Sequence, residues 1–134
     1  MKNLKSSLVL LLILFACEED APLKSAVKVF AGTWSWTYVI NCGIPENHTG
    51  DIVITESDVN KGELYVVLPE IGGFEAQASG EPYPLFTYSN EDGNGVFINV
   101  TAFLNNDGVL DITASQSDDD PSYYCAVYGD AVKQ

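Results

Sequence analysis

Apolar and aromatic residues recur at every second position through most of the chain beyond residue 32, with polar residues between them. A side-chain period of two belongs to a β-strand with one buried face. In Thr33–Asn41, Trp34, Trp36, Tyr38 and Ile40 share one parity and Thr33, Ser35 and Thr37 the other; Cys42 falls on the tryptophan side. The same alternation predicts strands over Asp51–Glu56, Glu63–Leu68, Phe74–Ser79, Leu85–Tyr88, Val96–Leu104, Val109–Ser115 and Ser122–Tyr128. Gly, Pro, Asn and Asp punctuate them. Asn41–Gly50 reads as a loop, Asn90–Gly95 as a turn and Gln116–Pro121 as a polar loop. Asn105-Asn106-Asp107-Gly108 reads as a hairpin turn, because Asn and Gly accept positive φ at little cost. Ser25–Phe30 has room for one helical turn before the first strand. No long helical period and no internal repeat is visible.

About eight short antiparallel strands with hairpin-length links close into a small up-and-down barrel; the alternative is a β-sandwich. In such a barrel the first and last strands are antiparallel neighbours, so the end of one lies beside the start of the other. Cys42 ends the first strand and Cys125 begins the last. A bond between them would staple the seam, where an open strand edge invites aggregation. A sandwich can hold such a bridge too.

The compartment follows from the other end of the chain. Lys2 and Lys5 precede the apolar run Leu8–Cys17, LVLLLILFAC. A basic start, an apolar stretch of roughly ten residues and a small residue before the cut are the parts of a secretory signal. The run is short of the about 20 residues that a spanning helix needs. Leu14-Phe15-Ala16-Cys17 resembles the processing box of bacterial lipoproteins, which implies lipid on the Cys17 thiol and anchoring to a membrane. Glu18-Glu19-Asp20 is similar to the acidic export tag of surface lipoproteins in Bacteroidetes, which implies a cell-surface position on the outer membrane; it serves equally as a solvated tether. The expected organisation is a signal peptide over 1–16, an acidic tether over 17–29 and a barrel domain over 30–134.

Removing the signal takes two of the lysines, so the mature chain is more acidic than the formal −13 of the whole. No arginine is present. Nucleic acid is thereby excluded as a partner, since its phosphates need Lys and Arg. So is a basic patch for anionic lipid head groups. Outside the cytoplasm, Cys42 and Cys125 are expected as a disulfide rather than as metal ligands. Closing a loop of about 80 residues stabilises by about 4–5 kcal/mol through chain entropy.

Catalytic chemistry finds little to stand on. His48 is the single histidine and sits among Pro, Asn and Gly. No Gly-x-Ser-x-Gly elbow occurs, and the chain is expected not to be an enzyme. Calcium is the one cofactor left open, through Glu91, Asp92 and Asn94 or the run Asp118-Asp119-Asp120. The first group reads first as turn chemistry. No metal site is assigned.

Gly32-Thr33-Trp34, preceded by Phe30, resembles the Gly-x-Trp opening of lipocalin-type barrels. Everything after residue 29 is similar to small lipocalin-like lipoproteins of Bacteroidetes, with a cysteine after strand one and another in the closing strand. Lipocalins lay an arginine from the end of the barrel across that tryptophan; this chain has none to offer. The resemblance implies a monomer whose interior takes a small apolar or amphipathic ligand, with Trp34, Trp36, Tyr38 and Tyr123 as candidate lining. The same side chains could instead fill an eight-stranded interior completely. In that case the function lies on the outer face, as a module docking a protein or glycan, and Phe97, Phe103, Tyr124 and Tyr128 are the residues expected there.

Overall fold

The computed structural model describes residues 21–80, 84–91, 95–118 and 124–134. The expected signal peptide with Cys17, the candidate calcium residues Asp92, Asn94, Asp119 and Asp120, and Tyr123 lie outside the described residues. Among the described residues one helix, α1 (Ala21–Phe30), precedes eight strands: β1 (Gly32–Asn41), β2 (Pro45–Glu56), β3 (Glu63–Leu68), β4 (Gly72–Ser79), β5 (Leu85–Glu91), β6 (Phe97–Leu104), β7 (Val109–Ser117) and β8 (Tyr124–Lys133). Each strand pairs antiparallel with the next, and β8 returns to β1 with Trp34 opposite Lys133 and Asn41 opposite Ala126. The chain is therefore an all-β, closed up-and-down barrel and not a sandwich.

Alternation does the sorting of inside from outside. Trp34, Trp36, Tyr38, Ile52, Ile54, Leu64, Val66, Leu68, Phe74, Ala76, Phe86, Val100, Ala102, Leu110, Ile112 and Ala114 form one buried cluster. Their odd-parity neighbours face solvent, as in β3, where Leu64, Val66 and Leu68 are buried and Tyr65 and Val67 exposed. The hairpin turn at Asn105 forms as expected: its side-chain oxygen accepts from the Asp107 and Val109 amides at 2.9 and 3.0 Å.

The two ends of the barrel differ. At one end α1 lies against β2, β3 and β4. It is longer than the single turn expected, and Ala26, Val27 and Phe30 are buried. Phe30 meets Phe86 edge-on at 5.3 Å between ring centroids. Trp34 donates its indole N–H to the Phe30 carbonyl at 2.8 Å, which satisfies one of the carbonyls a helix end leaves free. The helix therefore floors the barrel.

Lys133, at the end of β8, finishes that floor. Its Nζ lies 5.4 Å from the Trp34 ring centroid and 3.4 Å from the Val29 carbonyl. A cation over an indole and near a helix C-terminus is favourable on both counts. A lysine thus covers the opening tryptophan. Gly32 lies alongside: its φ is +137°, which favours glycine, and a Cβ there would stand 2.8 Å from Lys133 Cε and push that flexible stem aside.

At the other end β1 and β2 project together. Asn41–Gly50 is not the loop expected from its Gly, Pro and Asn content. Only residues 42–44 leave the strands, and β2 starts at Pro45. Pairing overrides weak local propensity here, since Asn47, His48 and Thr49 lie opposite Val39, Tyr38 and Thr37. A proline is tolerated as the first residue of a strand. Just beyond the β1–β8 ladder, Cys42 and Cys125 form the expected disulfide, with Cα atoms 4.3 Å apart.

Candidate ligand site

Up the barrel axis, the inward residues of β1 become progressively less enclosed. Trp34 belongs to the floor. Trp36 stacks on Tyr38 with centroids 4.1 Å apart, and Tyr38 in turn on His48 at 5.5 Å. Trp34, Trp36 and Tyr38 are 1%, 1% and 3% exposed, so the three candidate aromatics fill the lower and middle barrel. Trp36 Nε1 finds no hydrogen-bond partner among the described residues. His48 Nε2 stands 3.6 Å from Glu46 Oε2, close enough for an ion pair and too long for a hydrogen bond.

Above Tyr38 the packing stops and a cavity of about 250 Å³ opens at the end opposite α1. Ile40 and Cys42 of the β1 end, Ile71 of the β3–β4 turn, Ile98 of β6, Ala114 of β7, and Cys125 and Val127 of β8 make apolar walls. Ser115, Gln116 and Glu70 add polar groups. Cys42 was expected only in the disulfide; its shared parity with the tryptophans is the signal that puts it on the inner face. Trp34, Trp36 and Tyr38 themselves are not in the lining.

Glu70 was not visible. It sits in the turn between Leu68 and Gly72, which pair across β3 and β4. Tyr38 donates its hydroxyl to Glu70 Oε1 at 3.3 Å. Burial, then the Glu70 charge, then this hydrogen bond raise the Tyr38 phenol above its ordinary pKa of 10.0. Glu70 also has φ of +70° and is the one non-glycine residue at positive φ among the described residues. Such a φ directly after a proline suits the third residue of a type II turn, which normally takes Gly or Asn. For another residue it costs on the order of 1–3 kcal/mol. A Pro-Glu pair at a turn, where Pro-Gly is the easy choice, was the available signal.

A second cavity, of about 450 Å³, lies on the outer face. The β4–β5 ladder covers only Gln77–Ser79 opposite Leu85–Thr87, and beyond it the strands separate. Phe74 and Tyr88 stack across the gap at 4.4 Å and close it from within. Glu63, Glu75, Gln77, Thr87, Ser89, Asn99 and Thr101 line the groove, above Tyr88 and Val100. Glu75 Oε2 is enclosed there without a hydrogen-bond partner among the described residues. Phe97, Phe103, Tyr124 and Tyr128 are exposed on the outside, as expected. No group of three or more His, Cys, Asp or Glu able to hold a metal occurs among the described residues.

Compared with known protein families, curated proteins and solved structures, the chain matches none.

Proposed function

We propose that this protein is a lipid-anchored, non-catalytic barrel lipoprotein that takes a small apolar or amphipathic ligand at its open mouth. The apolar cavity of about 250 Å³ at the end opposite the α1 floor carries this reading. It is concave, walled by aliphatic side chains, and carries few polar groups, which is the composition of small-molecule sites. It lies just below the roughly 300 Å³ at which drug-sized ligand pockets begin, so the ligand is short. In this reading Cys17 carries the lipid, the outer membrane is the location, and the barrel acts as a monomer without nucleic acid.

Native mass spectrometry of the protein purified gently from its own host tests this. Bound mass that leaves on denaturation is expected, and Ala114→Trp, which plugs the cavity, should abolish it. A bare mass from the wild-type protein would count against the container.

One observation favours a second reading. The outer groove between β4 and β5 is larger than the mouth and lined by carboxylates, amides and hydroxyls. Such side chains suit a glycan, and in this reading the barrel is a cell-surface docking module. Binding to a glycan array that is lost with Gln77→Ala and Asn99→Ala, with a bare native mass, would select it over the first.

A further inference from the structure

Glu70 occupies a backbone position that a glycine would hold without strain, and among the described residues it is the one charged residue lining the mouth cavity. Its carboxylate is aimed by the Tyr38 hydroxyl, which bonds Oε1 and leaves acceptor sites unused. The remaining described wall residues are aliphatic or uncharged, and no lysine lies among them. We propose that Glu70 makes the mouth selective for short apolar ligands that carry a cationic nitrogen head group. The inference rests on the mouth being a ligand site.

An ammonium group both donates hydrogen bonds and matches the carboxylate charge, so its bonds are stronger than those of a neutral hydroxyl. A fatty-acid carboxylate would meet Glu70 as a like charge, which disfavours its ionised form. The molecule as a whole is strongly acidic, with a formal charge of −13, and its field draws cations and repels anions. The turn supplies the geometry. Pro69 pre-sets the bend, and the left-handed residue after it is the one presented at the mouth beside Tyr38.

The test uses full-length protein in phospholipid nanodiscs, with empty nanodiscs as the blank, and three probes of one chain length. Hexylammonium, 1-hexanol and hexanoate are titrated at neutral pH by calorimetry. Hexylammonium is expected to bind roughly fivefold more tightly than hexanol, the size of effect an ion pair at a water-exposed rim supports, with hexanoate weakest. Glu70→Gln keeps an acceptor for Tyr38 and removes the charge. It should equalise hexylammonium and hexanol, chiefly by weakening hexylammonium, while leaving the melting temperature unchanged. Equal affinities in the wild type would overturn the selectivity and leave the container standing. A preference that survives Glu70→Gln would place the selecting charge elsewhere and overturn the assignment. So would a variant that melts lower and loses all three probes alike, because Glu70 would then be structural. Failure of all three probes would overturn both the container and the inference.

Discussion

Tyr38 and Glu70 show how one pair of side chains links fold to site. Tyr38 belongs to the core by packing and is tied to the mouth through its hydroxyl's bond to Glu70. Its folded pKa lies above the ordinary 10.0, so folding favours the protonated phenol. That contribution is fully present below pH 10 and is lost as pH rises through the folded pKa. Denaturant unfolding followed from pH 8 to 12 should therefore show a steeper loss of stability above pH 10 in the wild type than in Tyr38→Phe. Identical slopes would mean that the phenol is not held in its protonated form. At the opposite end, Gly32 and Lys133 make a comparable pair. The Gly-x-Trp opening needs its glycine because φ at Gly32 is +137°, a conformation that strains any other residue, and the lysine stem runs alongside it.

At the scale of elements, α1 is part of the barrel. Phe30 is fully buried between Trp34 and Phe86, and removing it would leave an aromatic-sized hole in the floor. Phe30→Ala should cost about 3–5 kcal/mol in urea unfolding, the usual range for Phe→Ala in a core. Lys28→Ala, on the exposed face of the same helix, should stay within about 0.5 kcal/mol. Equal effects would mean that the helix does not dock. The β4–β5 pair shows the reverse situation, in which pairing stops early. Phe74 and Tyr88 close the gap from inside, so the outer groove has a floor and is not an entrance to the core.

At the scale of the whole molecule, the closing seam holds the architecture together. The disulfide joins residues 83 apart in sequence at the end of the β1–β8 ladder. The chain-entropy model gives about 4–5 kcal/mol for a loop of that size. The double variant Cys42→Ser, Cys125→Ser should lose stability of that order by denaturant unfolding, yet remain a barrel by circular dichroism because the ladder itself is intact. A loss below about 1 kcal/mol would show that the ladder alone sets the seam and that the entropic account fails here. The bridge also lines the mouth, so the same variant should alter the ligand cavity, whereas the floor beneath α1 should be unaffected.

Strand content, the sides of each strand that face inward, the Asn105 hairpin and the cysteine seam were all legible in the sequence, because each is a local or parity signal. Period-two alternation in Trp34–Ile40 or Ile98–Leu104 needs no partner to be read. The misread stretches were those where a partner decides. Asn41–Gly50 becomes strand because β1 offers it an edge, and α1 extends because a barrel end is there to receive its apolar side. Where the aromatic interior ends and the mouth begins depends on how far β1 and β2 outrun the β3–β4 turn. Glu70 enters the site only because that turn brings it beside Tyr38, 32 residues away in sequence. Alternation tells a side chain which face to take. Closure of the sheet decides which end of the interior stays open, since that depends on register summed over eight strands and on no single one of them.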